Sequence, residues 1–168
     1  MLTDLHFRPL NRTDSPAIMA LQQMMLAALP DPSWYYPSPE ETFAQCCDRG
    51  ETYGYWDGRT LAGFAILTPG PLRGDKSYAY KVGDPTANTY DFQDIMVHPD
   101  YRRMGMHSAF LSLFEAMSRE RGGVAMYCTI APDNLPSVNS FEKAGYHCVC
   151  QKPAYDGRLR GYYKKELL

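Results

Sequence analysis

The sequence predicts a single mixed α/β domain, and three observations predict it. Apolar runs of strand length alternate with stretches of helical period. One such run, Asp91 to Val97, passes through a glycine-containing turn straight into a helix, and the dipeptides Asp57-Gly58 and Asp156-Gly157 mark hairpins before and after that unit. A chain of 168 residues, 45% hydrophobic and 21% charged, suits one soluble domain spanning 1–168.

Leu5 to Leu10 is a short strand. Ser15-Pro16 opens a helix, with Ser as the cap and Pro in the first turn; Ile18, Leu21, Met25 and Leu29 then recur at helical spacing. The segment from Pro30 to Pro37, with Trp34, Tyr35 and Tyr36, breaks that helix. Ser38-Pro39-Glu40-Glu41 reads as a capping box starting a second helix that ends near Gly50. Thr52 to Trp56 and Thr60 to Leu67 form a hairpin about Asp57-Gly58, where a type I′ turn is expected. Pro69 to Thr89 reads as a long loop, and its Arg73-Gly74-Asp75 triplet as a turn.

Tyr90 to Val97 is the next strand. The helix after it carries Phe110, Leu113, Phe114 and Met117 on one stripe and closes at Gly122-Gly123. A right-handed crossover makes the strand from Gly123 to Ile130 parallel to the one before. A helix from Pro136 to Lys143 and a last hairpin, Tyr146 to Lys152 with Gly161 to Leu167, complete the order β-α-α-β-β-β-α-β-α-β-β.

Composition excludes several classes. Seventeen Lys plus Arg against nineteen Asp plus Glu give a net charge of −2, so no basic field attracts nucleic acid. No apolar run reaches the ~20 residues of a membrane span, and Met1 to His6 lacks the pattern of a signal peptide; a cytoplasmic location is expected. Five cysteines without CxxC spacing argue against a disulfide framework or a zinc ribbon, and no metal is expected.

The richest segment is Tyr101-Arg102-Arg103-Met104-Gly105-Met106-His107-Ser108. A strand-to-helix turn presents backbone N–H groups at the positive end of a helix dipole, which suits a phosphate. Later come Asn134-Leu135-Pro136-Ser137 and Phe141-Glu142-Lys143-Ala144-Gly145-Tyr146. Together these segments resemble the GNAT superfamily of N-acetyltransferases. Arg102 and Gly105 match the acyl-CoA loop Q/R-x-x-G-x-G/A, with His107 where the second Gly or Ala is usual; Asn134, Ser137, Lys143, Gly145 and Tyr146 match the later motif.

The resemblance implies a mostly antiparallel mixed sheet whose central parallel strand pair is splayed for CoA, flanked by about four helices. It also implies acetyl transfer from acetyl-CoA, as co-substrate, to a primary amine of a small molecule or peptide, by a monomer or homodimer. Amides of Arg103 to Ser108 would hold the pyrophosphate, with Gly105 allowing close approach. His107 either points outward or alters that grip. The pantetheine arm would pair with Ile95, Met96 and Val97, and the Met96 N–H would face the thioester oxygen. Asn134 would contact the arm; it reads equally as a helix cap, two residues ahead of Pro136.

An alkylamine with a pKa near ~10 must lose a proton before attack. Asp91, Gln93 and Ile95 share one strand face by alternation. The resemblance implies Asp91 as the base, since it matches the place where some members carry a glutamate that acts through water, which Gln93 would orient. Asp94, on the other face, reads as structural or solvated. The chain departs from the family at two positions. Thr129 stands where some members carry a second base, and Phe141 replaces the tyrosine that often serves as general acid, so the thiolate leaves unaided, takes a proton from the amine or water, or uses another tyrosine such as Tyr127. Acceptor walls are expected from Tyr35, Tyr36 and Tyr80, with Trp34, Tyr78, Tyr162 and Tyr163 as further candidates. The alternative reading is an acyl-CoA-binding module or sensor with little catalysis; a P-loop nucleotide binder fails for want of Gly-Lys-Ser/Thr.

Overall fold

The computed structural model describes residues 1–84 and 88–168. Residues 85–87, inside the expected long loop, lie outside the described residues. The elements are β1 (His6–Pro9), α1 (Ser15–Ala28), α2 (Glu40–Asp48), β2 (Thr52–Asp57), β3 (Thr60–Pro69), α3 (Gly70–Arg73), α4 (Tyr78–Lys81), β4 (Thr89–Val97), α5 (Met106–Glu120), β5 (Ala125–Ile130), α6 (Leu135–Lys143), β6 (His147–Ala154) and β7 (Arg158–Glu166). The strands form one seven-stranded sheet in the order β1-β2-β3-β4-β5-β7-β6. β4 and β5 run parallel, as the crossover rule requires, while β1–β2, β2–β3, β5–β7 and β6–β7 pair antiparallel. The parallel ladder covers Thr89 to Asp91 against Ala125 to Tyr127.

Contacts divide the chain into two compact units, Met1–Leu67 with Asp94–Phe110, and Thr68–Gln93 with Leu111–Leu168. The first unit is built on a cluster of Ile18, Leu21, Phe43, Phe64, Ile66 and Met96. Each is nearly inaccessible to water, and burial of this kind stabilises by roughly 1.5–3 kcal/mol per large side chain. Two expected caps differ. Helix α1 begins at Ser15, but the Ser15 hydroxyl donates to Glu40 Oε1 at 2.9 Å instead of capping its own helix. Ser38 makes no side-chain cap for α2 either; its backbone N–H and C=O both bond the buried Gln22 amide at 2.9 Å. A buried amide that satisfies both backbone groups of one residue fixes the aromatic link between α1 and α2 more firmly than a solvent-facing cap.

The β2–β3 turn also differs from expectation. Asp57 pairs with Thr60, so Gly58 and Arg59 are the loop, and Gly58 alone of the two has positive φ (+56°). That sign pattern belongs to type II′, because Arg59 carries a Cβ that disfavours the second left-handed residue of type I′.

In the second unit the expected loop after β3 contains two single-turn helices, α3 and α4. Ser77 caps α4, its hydroxyl oxygen accepting from Tyr80 N–H at 3.1 Å. The α4 residues Tyr78 and Ala79 are buried with Ala125, Tyr127 and Tyr162. Helix α5 closes as expected: Gly122 takes φ +75° and Gly123 N–H bonds Ser118 C=O at 2.7 Å. Phe92 of β4 packs on Phe114 (4.9 Å) and Phe141 (5.6 Å). Thr89, Tyr90, Asp91 and Phe92 are all buried, with no alternation, as befits an interior strand covered on both faces.

Candidate active site

The first unit contains a cavity of about 330 Å³ at the end of β4. Pro99–Tyr101 makes one tight turn, with the His98 ring nitrogen Nδ1 accepting from Asp100 N–H at 3.1 Å. The chain then passes through left-handed Arg103 (φ +64°) and Gly105 (φ +79°) into α5. The first backbone bond of that helix runs from Ala109 N–H to Gly105 C=O at 2.9 Å. The amides of Met106, His107 and Ser108 precede it, in the turn that an α-helix leaves without intrahelical acceptors. Of the expected cofactor-binding residues of this turn, Arg102, Arg103, Gly105, Met106, His107 and Ser108 line the cavity together with Val97; Met104 is not part of the lining.

Two contacts hold the turn in place. Tyr101 OH donates to Asp57 Oδ2 at 2.8 Å, bracing it on the β2–β3 hairpin. Met106 packs into space left by Gly63, where a Cβ would meet the Met106 sulfur and come within 2.9 Å of the Met96 carbonyl. The helix start can approach the strand only because Gly63 has no side chain. His107 is half-buried, and burial pushes its pKa down to about 4. It is therefore neutral at pH 7, and the loop's positive charge comes from Arg102 and Arg103, both exposed.

Along β4, Met96 is in the core with 1% exposure, and Ile95 and Val97 are half-buried. Burial pushes the Asp94 carboxyl up to about 7, against a hydrogen bond from Tyr35 that pulls the other way. Tyr35 OH also lies 3.1 Å from Gln22 Oε1, so its single proton serves one of the two acceptors at a time. Asp94 is half-buried, and it shares its unit with Ile95, Met96 and Val97. Tyr36 of the same link is 44% exposed.

In the second unit Asp91 is fully enclosed. Its Oδ2 accepts from Arg73 Nη1 at 2.6 Å and from Tyr78 N–H at 3.2 Å. Burial nevertheless dominates and raises its pKa to about 6, with the Arg73 charge and both hydrogen bonds opposing. Gln93 donates through Nε2 to Thr68 Oγ1. Arg73, read from the sequence as part of a turn, is the ion-pair partner of the expected base. Its guanidinium also lies 4.7 Å over the Tyr78 ring.

A second cavity, about 690 Å³, is lined by Arg73, Lys76, Tyr78, Lys81, Lys152, Tyr155 and Tyr162 with Pro153, Ala154 and Gly157. Tyr78 and Tyr162 were expected acceptor walls. Tyr80, 64% exposed, is not in this lining. Sequence reasoning missed Lys76, Lys81, Lys152 and Tyr155; the lysine spacing within 69–89 was the available signal. Tyr155 OH lies 3.2 Å from Tyr78 OH and 2.8 Å from Thr129 Oγ1.

Asn134 caps α6, its Oδ1 accepting from Ser137 N–H at 3.4 Å. Phe141 is buried and edge-on to Tyr146 at 5.1 Å, an aromatic cluster with no hydroxyl at that position. Tyr127 is buried and donates to Asp84, which also accepts from Lys164 at 3.0 Å. Desolvation and that carboxylate raise the Tyr127 pKa, so its proton is tightly held.

The model of the acetyltransferase (GNAT) family matches residues 20–146. A comparison with the sequences of curated proteins finds no match. Among solved structures, the chain resembles the ribosomal-protein-S18-alanine N-acetyltransferase of Escherichia coli, with 20% identity, a TM-score of 0.69 and 97% and 94% of the two chains covered. YncA of Salmonella typhimurium, solved with its cofactor acetyl-CoA, aligns at 16% identity and TM-score 0.72 over 98% and 94%. A GNAT-family acetyltransferase of Listeria monocytogenes aligns at 16% and 0.73 over 96% and 94%.

Proposed function

The chain belongs to the acetyltransferase (GNAT) family, and from that premise we propose that it transfers acetyl from acetyl-CoA to a primary amine of a small molecule or peptide. The observation that carries the reading is the cavity at the start of α5, lined by residues of the turn with left-handed Arg103 and Gly105 and of the helix's first turn. Convergent N–H groups and a helix start solvate a diphosphate better than any single side chain. Arg102 and Arg103 add charge, and neutral His107 adds bulk without charge.

In the proposed reaction the amine nitrogen attacks the thioester carbonyl, a C–N bond forms, and the C–S bond breaks. The thiol leaves as CoA while the amine gives up its proton. Ile95, Met96 and Val97 would hold the pantetheine arm by main-chain pairing, with the Met96 N–H at the carbonyl oxygen. Asp91 is proposed as the base, through water that Gln93 orients from its anchor on Thr68. Its proton affinity, near pH 6, suits that work, though both of its known donors must be shared with the water. A specific observation favours a second reading, in which Asp94 is the base: its pKa is about 7 and its partner, Tyr35, belongs to the expected acceptor loop. The departing thiolate needs no strong acid, since a thiol pKa near ~8.5 makes it a tolerable leaving group. Phe141 favours the rival acyl-CoA sensor.

A thiol-release screen with acetyl-CoA and a broad amine panel tests the proposal, with acetyl-CoA binding measured by calorimetry in parallel. CoA release with at least one amine is expected; tight binding and no release across the panel would overturn it in favour of the sensor. Asp91→Asn and Asp94→Asn then separate the bases. The variant that removes the base loses the rise in kcat/KM with pH, near 6 for Asp91 or near 7 for Asp94.

A further inference from the structure

The larger cavity has a charge opposite to that of the chain. Its lining carries Arg73, Lys76, Lys81 and Lys152 and no aspartate or glutamate, in a protein of net charge −2. Arg73 is answered by Asp91 behind the wall. Lys152 Nζ donates to the Lys81 carbonyl, a neutral group, and lies 5.2 Å over the Tyr162 ring. Among the described residues no ion pair joins Lys76, Lys81 or Lys152 to a carboxylate, so their charge acts on whatever enters. A concave, partly apolar wall focuses such a field and raises the local concentration of anions while repelling cations.

The remaining wall is aromatic. Tyr78 and Tyr162 meet edge to face at 6.1 Å, and the Tyr78, Tyr155 and Thr129 hydroxyls form a row along hydrogen bonds of 3.2 and 2.8 Å. Flat apolar faces beside hydroxyls and cations suit a small molecule with a compact body and an anionic end.

We propose that this cavity admits the acceptor, and that the acceptor is an amine that also carries an anionic group, a carboxylate or a phosphate. The amine half rests on the acetyltransferase reading above; the anion selectivity rests on the cavity alone. Polyamines and aminoglycosides, cationic throughout, are disfavoured by the same field.

Two measurements keep these halves apart. The first is binding without acetyl-CoA, by ligand-observed NMR at low ionic strength, of matched pairs: L-phenylalanine against L-phenylalaninamide, and O-phosphoethanolamine against ethanolamine, with spermidine as the cation. The anionic member is expected to bind roughly tenfold tighter, as one well-placed charge contact gives, and the pair with the larger ratio identifies carboxylate or phosphate. The double variant Lys76→Gln/Lys81→Gln, both at exposed positions, should bring that ratio toward one. Equal or tighter binding of the neutralised members or of spermidine, or a ratio the lysine changes do not move, overturns the proposal.

The second measurement is CoA release with the same compounds. Release with spermidine but not with the anionic amines also overturns it, while leaving acetyl transfer standing. Anion-selective binding with no release from any amine supports the cavity assignment and counts against acetyl transfer instead.

Discussion

Replacing Arg73 by methionine isolates the electrostatics of the enclosed carboxylate. The pair is short, 2.6 Å, with the Asp91 side chain at 0% exposure and that of Arg73 at 17%. Removing one partner of a buried pair costs about 3–5 kcal/mol when the other is left ionised. The cost must depend on pH, and its sign follows from Asp91. Its folded-state pKa is about 6 against an ordinary 3.8, so folding already binds a proton and stability falls as pH rises from about 4 to 6. With about 1.4 kcal/mol for each tenfold in proton affinity, that fall is roughly 3 kcal/mol in the native protein. Without Arg73 the carboxyl loses the charge that restrains it, its pKa moves higher still, and the decline continues to higher pH.

Urea denaturation of the native protein and Arg73→Met at pH 5 and pH 8 measures this. The loss should be small at pH 5, where Asp91 is mostly neutral in both proteins, and larger by up to about 3 kcal/mol at pH 8, two pH units above the native pKa. Asp91→Asn in the Arg73→Met background should recover most of the pH 8 loss. An equal loss at both pH values, or a larger one at pH 5, would refute the reasoning.

Three further outcomes follow from local geometry. Gly105→Ala places a Cβ on a residue at φ +79°, costing about 1–2 kcal/mol; its acetyl-CoA affinity, by calorimetry, should fall more than its stability if this turn holds the pyrophosphate. Gly63→Ala drives a Cβ against the Met106 sulfur and the Met96 carbonyl, and should cost about 1–3 kcal/mol in thermal denaturation, with acetyl-CoA binding weakened as the helix start is displaced. Tyr127→Phe leaves Asp84 with Lys164 as its charged partner; a loss of about 1–2 kcal/mol with kcat unchanged is expected, whereas a large fall in kcat would make Tyr127 the proton donor.

Much of the architecture is legible in the sequence because it is written in short-range rules. The parallel β4–β5 pair follows from a strand, a turn, an amphipathic α5 and Gly122-Gly123. The turn at Arg103 and Gly105 is legible for the same reason, since backbone conformation within six residues decides it. The misreadings are equally local in form. Ser15 and Ser38 satisfy cap patterns, yet Glu40 and Gln22, each more than ten positions away, claim their polar groups. A short motif cannot see a competing partner that folding delivers.

The sequence by itself therefore determined the order of the strands and longer helices, the family and the glycine turn before α5, all of which depend on periodicity and on groups near one another in the chain. The tertiary structure alone decided the charge states. Arg73 reaches Asp91 across eighteen positions, Lys152 and Tyr155 meet Tyr78 and Lys81 across more than seventy, and Tyr35 is brought to Asp94. Desolvation sets the proton affinities of Asp91, Asp94 and His107, and it is a property of what the fold packs around a group rather than of its neighbours in sequence.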